Sequence, residues 1–334
     1  AKLFAAVKAA SEYCQALNVS IPVGKDSCSM RTAWDDKDEK KCVTSPVSLI
    51  VSAAAPVGNV RLTLTPLLRT DKPSVLALFD LSGGRARMGA SILAQVAQSF
   101  GDTAPDAPDA QKLVRFVKLI RKLTLAGCVT AYHDRSDGGL AATLSEMMFA
   151  SHVGLDVTLD GLIDGAKDVE AATAALFNEE IGAVVQIPAD RLEDVKSQAA
   201  AAGLSDCLFV VARINTTDTF KVTCGENVLV DEKRTDLMRV WSEVSHEIAR
   251  GRDNPACADS ELEVACGTDH QGLFVKTTFD PEEHPSGPYI HSGDVRPKIA
   301  VLREQGVNSQ TEMAAAFTKA GFEAWDVHMT DLLS

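Results

Sequence analysis

Three short stretches carry side chains whose types and spacing could do chemistry. The richest is AYHDRSDGGL, residues 131–140, where His133, Asp134, Arg135, Ser136 and Asp137 run into Gly138 and Gly139. Asp134 and Asp137 are hard oxygen ligands of the kind Mg²⁺ takes. Ser136 is a donor to an anionic oxygen, and backbone N–H groups at a helix start favour anions. Carboxylates would repel a bare phosphate there, so a bridging Mg²⁺ is the natural resolution. The same residues also describe an Asp N-cap followed by a Gly-rich turn. In the second stretch, IPVGKDSCSM (21–30), Gly24 permits close backbone approach to a phosphate and Lys25 supplies a point charge. Asp26 offers a metal ligand or base and Ser27 a donor. The spacing is not that of a Walker A loop, and a solvated hairpin turn would look the same. The third, FNEEIG (177–182), sets Asn178, Glu179 and Glu180 before an apolar run. Two adjacent carboxylates can clamp a divalent ion or accept from sugar hydroxyls; the alternative is a polar turn on a solvated edge.

Other residues carry less. His133 beside Asp134 has the makings of an acid–base pair, but neighbours in an extended segment face opposite ways, so one of the two packs. His152 reads as a surface or capping residue. REQGVN (303–308) sits at a strand-to-helix loop, but no Cys follows Cys266, and neither Ser309 nor Ser334 has a G-x-S-x-G setting. No catalytic triad can be completed from these residues.

Apolar periodicity supplies the elements that must position these groups. Cys128–Tyr132 reads as a buried strand ending at His133, and Leu140–Ala150 as a helix. That puts AYHDRSDGGL at the C-terminal end of a strand, where open α/β sheets bind ligands. Upstream, residues 1–17 are helical. Ile21–Val23 reads as a short strand, Trp34–Lys41 as a charged turn, Val47–Ala55 as a continuous buried strand, and Leu62–Leu68 as another strand. Strands are also expected at Val75–Leu81, Leu155–Leu159, Ile181–Ile187, Leu208–Ala212 and Phe220–Thr223. Helices are expected at Met88–Ala97, Gln111–Leu125, Asp168–Leu176, Ala189–Ala202 and Thr235–Arg250. From Gly251 to about Arg296 prolines interrupt the pattern and only Gly272–Thr278 is strand-like, which suggests a connector. Lys298–Leu302, Thr311–Ala320 and Phe322–Val327 then read strand, helix, strand, the opening of a doubly wound sheet.

The bulk numbers bound the answer. A chain of 334 residues that is 46% hydrophobic supports real cores. A formal charge of −13 with no long Lys/Arg run excludes nucleic acid as the main partner, while a pocket's local field can still hold an anionic substrate. The eight cysteines form no CxxC pair, so they read as reduced thiols rather than a zinc site. No apolar stretch is long enough to span a bilayer. The amphipathic start lacks the features of a secretion signal and looks like a helix entered midway, so the chain reads as a piece of something longer.

IPVGKDSCSM, AYHDRSDGGL with its helix LAATLSEMMFA, and LFNEEIGAVVQI together resemble the large, fused phosphoribosylformylglycinamidine synthase family. KIAVLREQGVNSQTEMAAAF resembles the start of that family's glutamine amidotransferase domain. The resemblance implies an α/β (α+β) fold. Residues 1–70 would end a ferredoxin-like synthetase subdomain and residues 72–250 form an aminoimidazole ribonucleotide synthetase-like C-terminal α/β subdomain. Residues 251–296 would be a connector, and residues 297–334 the start of a class I amidotransferase doubly wound sheet. It implies a cytoplasmic ligase of purine biosynthesis that uses ATP and Mg²⁺ to activate the formyl-amide oxygen of formylglycinamide ribonucleotide. Ammonia from glutamine then displaces that oxygen.

Residue by residue, the resemblance makes Gly24 and Lys25 nucleotide contacts and Ser27 a substrate contact. Lys25 stands where smaller relatives have a Mg²⁺-binding Asn. Asp134 becomes a Mg²⁺ ligand and Ser136 a nucleotide contact of an auxiliary ATP/ADP site. Asp26 and Asp137 flank these groups, and Glu179 and Glu180 are counterparts of a substrate loop in the other synthetase half. The family's catalytic residues fall outside these residues, so the polypeptide alone is expected to catalyse neither half-reaction. Two other readings fit the synthetase motifs: a selenophosphate synthetase-like or hydrogenase-maturation relative, and a non-catalytic domain stabilised by nucleotide. The amidotransferase start at Lys298 argues against the first.

Overall fold

The computed structural model describes residues 2–22, 24, 30–163, 169–268, 275–283, 287 and 295–333. Lys25, Asp26 and Ser27 lie outside the described residues, as do Val23 and the first half of Gly272–Thr278. The chain divides into two compact units, residues 1–270 and 271–334.

The first unit is built on a seven-stranded mixed sheet with spatial order β4-β6-β3-β7-β5-β8-β9. The strands are β3 (Ser74–Asp80), β4 (Ala131–Arg135), β5 (Gly154–Thr158), β6 (Gly182–Pro188), β7 (Leu208–Asn215), β8 (Thr219–Cys224) and β9 (Asn227–Lys233). Within this sheet, among the described residues, only β5 and β8 pair in parallel; β6 runs antiparallel to both β3 and β4. Both faces of the sheet are covered. In β3, Val75, Ala77 and Phe79 enter one core with Phe116, Leu119, Leu123, Val195 and Ala199, from helices α3 (Ala110–Leu125) and α6 (Leu192–Ala201). Leu76 and Leu78 enter the other with Leu140, Leu144, Met147, Met148 and Leu176, from α4 (Gly139–Ser151) and α5 (Val169–Phe177). The period-2 alternation of a strand thus feeds two apolar layers. The short α2 (Ile92–Val96) follows β3, and α7 (Arg234–Arg252) packs along α8 (Pro255–Cys266).

Several expectations are corrected. Trp34–Lys41 is no simple turn. β1 (Arg31–Asp36) and β2 (Glu39–Thr44) form a hairpin around Lys37 and Asp38, whose φ of 47° and 74° suit a two-residue hairpin loop. Val47–Ala55 forms no strand and is exposed, Ile50 to 92%; a wholly apolar strand needs cover on both faces, and no described element supplies it. Ile21 and Pro22 form no strand, and Leu62 belongs to a 3₁₀ turn, Val60–Leu62. The helix expected over Met88–Ala97 shortens to α2 because Ser91 caps it, accepting from Ala94 N. Residues 255–266, expected to be connector, are helical: Asn254 caps the end and Pro255 occupies the first turn, where a missing N–H costs nothing. β9 carries no apolar alternation that would predict it, since its residues are almost all exposed.

In the second unit, after α1 (Lys2–Leu17) and the rest of the first, β10 (Lys298–Arg303) and β11 (Glu323–His328) pair in parallel. They are joined through α9 (Gln310–Lys319), with α10 (Met329–Leu333) following. This is the strand–helix–strand crossover expected of a doubly wound sheet.

Candidate functional site

The strand that carries AYHDRSDGGL is shifted from its expected place. β4 begins at Ala131 and runs through His133, Asp134 and Arg135. The apolar run Cys128–Val129 precedes it as buried coil. Polar residues continue the strand because β4 is the sheet edge and because Arg135 is buried with partners. Asp80 and Arg135, the last residues of β3 and β4, both register with Gly182, the first of β6. Three loops therefore meet at one end of the sheet: 81–91, 136–138 and 178–181.

An ionic lattice ties them together. Arg135, only 5% exposed, donates from Nε to Glu180 O (2.7 Å) and from Nη2 to Asp80 Oδ1 (2.7 Å). Asp80 also accepts from the Ser82 amide and hydroxyl. Glu180, 1% exposed, takes Arg87 in a fork, Nε at 2.6 Å and Nη2 at 2.9 Å, the geometry in which guanidinium and carboxylate match best. The hydrogen-bonded Glu180 carboxylate, with a smaller push from the charge of Asp106, raises the Arg87 guanidinium above its ordinary value against the opposing effect of desolvation. Gly182 has to be glycine here: a Cβ would lie 2.6 Å from Phe79 O and 3.3 Å from Arg135 Nη2. Asn178 is buried, donates to Ala174 O and accepts from Glu180 N. Glu179 Oε1 accepts from Ile92 N (2.8 Å) and Gly138 N (2.9 Å). The pair Glu179–Glu180 is thus held inside the fold rather than on a solvated edge.

The glycine turn is shaped from behind. Gly138 and Gly139 have φ of 78° and 65°, a region where side chains are strained. A Cβ on Gly139 would also strike Asn178 O at 2.6 Å and Leu176 O at 2.7 Å. One expectation changes as a result. The Gly138 amide is taken by Glu179 and the Gly139 amide by Ser136 O, so neither is offered to an anion.

The front of the loop is open. Asp134, Ser136 and Asp137 are exposed. Asp134 Oδ1 accepts from Tyr132 Oη at 2.6 Å; burial first and Asp134 second push the Tyr132 phenol far above its usual range. Oδ2 of Asp134 has no partner among the described residues. His133 Nε2 meets Glu146 Oε2 at 2.6 Å, so His133 and Asp134 go separate ways, as alternation requires. His152 closes α4 in a left-handed conformation. Gly24 is exposed, with nothing within 4 Å of where a Cβ would stand. Behind the lattice lies a pocket of about 270 Å³ lined by Asp80, Arg85, Arg135, Asn178, Leu162 and Ile163. Among the described residues no group of three or more His, Cys, Asp or Glu side chains is placed to hold a metal, and no helix is long and apolar enough to cross a membrane.

No motif points to Asp80 or Arg87. Their signal was faint: an Asp closing a buried strand, then Gly83-Gly84 and two arginines.

Three family models match the chain in order. They are the FGAR-AT PurM_N-like domain over residues 1–56, the AIR synthase related protein C-terminal domain over 79–225, and the CobB/CobQ-like glutamine amidotransferase domain over 296–334. The sheet and the loops just described fall in the middle match, so the class is an AIR synthase-related α/β domain followed by amidotransferase sequence. In this order the three matches support a fragment of phosphoribosylformylglycinamidine synthase. Among solved structures, Thermotoga maritima PurL complexed with FGAR is 13% identical, with 68% of this chain and 36% of that chain covered and a TM-score of 0.45. PurL from the same organism complexed with ATP is 15% identical, with 52% and 27% covered and a TM-score of 0.41. E. coli HypE, a hydrogenase maturation protein, is 16% identical, with 58% and 55% covered and a TM-score of 0.37. The chain spans about a third or less of the PurL chains it matches.

Proposed function

We propose that this chain contributes an auxiliary Mg²⁺–nucleotide site to an ATP-dependent purine-biosynthesis ligase. That ligase converts formylglycinamide ribonucleotide and glutamine to formylglycinamidine ribonucleotide. The observation that carries the reading is the open Asp134–Ser136 edge inside the AIR synthase-related match. Asp134 keeps one carboxylate oxygen pinned by Tyr132 and the other without a described partner. Mg²⁺ is commonly held by one or two carboxylates, phosphate oxygens and water, so a single Asp fits it, and Ser136 fits a phosphate or ribose oxygen. When bound, the ion would neutralise phosphate charge beside Asp134 and Asp137. With both glycine amides consumed, a phosphate has little else to hold it here, which strengthens the case for a cation. Gly24, Lys25 and Ser27 remain proposed nucleotide and substrate contacts, and Asp26 a flanking carboxylate.

In the same reading, residues 1–70 end a ferredoxin-like subdomain, 72–250 form the C-terminal-type synthetase subdomain, 251–296 connect, and 297–334 open the amidotransferase. Ammonia would come from that domain and the reacting ATP from another synthetase half. Positioned phosphate and metal contacts supply most of the rate in such transfers, so the chain alone should not turn over. Calorimetric titration with Mg²⁺-ADP tests the site. We expect binding by the native chain, about tenfold or greater weakening in Asp134→Asn, and no product from the isolated chain with ATP and ammonia. A D134N variant that binds like the native chain would refute the metal role, and turnover above background would refute inactivity.

A further inference from the structure

We propose that Glu179 is a positioning residue that locks the Ser136–Gly139 turn to the start of α2 through a single carboxylate oxygen. Oε1 accepts from Gly138 N at 2.9 Å and from Ile92 N at 2.8 Å. Gly138 is the N-cap of α4, and Glu179 reaches from a distant loop to accept its amide, the bond that the Glu or Gln of a capping box makes from within the helix and that Ala141 at that position cannot make. The strut is stiff at its base. Its neighbour Glu180 is forked onto Arg87, and Asn178 holds the Glu180 amide. The backbone of Leu176–Asn178 presses on Gly139 so closely that a Cβ would overlap it. Glu179 therefore cannot follow one loop without dragging the other. The segment 81–91 leading into α2 carries Arg87 and, through Ser82, a bond to Asp80, so it is coupled to the turn bearing Ser136. For nucleotide binding, the inference rests on the function proposed above: Glu179 sets the turn without touching the ligand.

Hydrogen exchange on the full chain tests the coupling directly, alongside Mg²⁺-ADP titration. In Glu179→Ala, exchange at Gly138 and Ile92 should rise together by about tenfold or more while amides of β3 and β6 keep native protection. Glu179→Gln keeps an acceptor oxygen and should restore most of that protection; Glu179→Asp, one methylene shorter, should fail to serve both amides. Mg²⁺-ADP affinity should drop about tenfold in E179A and stay within about threefold of native in E179Q. Native exchange at either amide in E179A, or acceleration spread evenly over the sheet, would overturn the proposal, as would an E179Q no better than E179A. If the native chain fails to bind Mg²⁺-ADP, the nucleotide reading fails by itself, and the exchange data still decide the role of Glu179.

Discussion

Substituting Gly182 by Ala puts the lattice at the sheet end under load. The added Cβ would lie 2.6 Å from Phe79 O, 3.3 Å from Arg135 Nη2 and 3.4 Å from Arg135 Cζ. The first contact is with backbone in a central strand pair and cannot be relieved by a rotamer change. β6 must therefore separate locally from β3, or the peptide must tilt, which is overpacking of the kind that costs about 1–3 kcal/mol. The second contact pushes the buried guanidinium off Asp80. Breaking a buried pair outright costs about 3–5 kcal/mol, and partial displacement a fraction of that. The sum is about 2–4 kcal/mol, which for a domain of this size lowers the melting temperature by about 5–15 °C. Circular dichroism melts of the full chain would measure it. Gly161→Ala is the control, since its Cβ would meet nothing nearer than 4.0 Å. A Gly182→Ala melt within about 1 °C of native would refute the close-approach argument.

Gly139→Ala should destabilise more than Gly83→Ala in the same melts. Both positions have positive φ and incur about 1–2 kcal/mol for it, but only Gly139 also meets backbone at 2.6 Å; equal losses would show that the 176–178 segment gives way freely. The seam between α7 and α8 should weaken in acid. Arg250 and then His246 hold the Asp259 carboxyl below its usual range, and Arg239 does the same for Glu263. A lowered folded-state value gives stability present above the unfolded value and lost as pH falls through the folded one, so the loss falls below about pH 4. Asp259→Asn should then exchange faster in α8 at pH 7, with the gap to native narrowing steadily as pH falls below about 4; a gap that does not narrow in acid would refute the ionic account.

The second core strand, the amphipathic helices and the opening of the doubly wound sheet were legible because each is a local periodicity. Val75–Leu81, Gln111–Leu125 and Lys298–Leu302 carry their pattern in consecutive residues, and no distant partner is needed to read it. AYHDRSDGGL stands out as a candidate in the same local way, through residue types that could serve metal or anion chemistry. What only the tertiary structure decided is how those groups are spent. Glu180 is buried and forked onto Arg87, 93 positions away in sequence. Glu179 takes the Gly138 amide that local reading would have offered to a phosphate, and Arg135 closes a strand because Asp80 waits across a glycine. Val47–Ala55 fails in the opposite sense: its composition asks for burial on two faces, but whether a covering surface exists is not written in the run itself. Side-chain chemistry is a local property of the chain, whereas a partner at hydrogen-bond distance is a property of the fold, set by strand order and register.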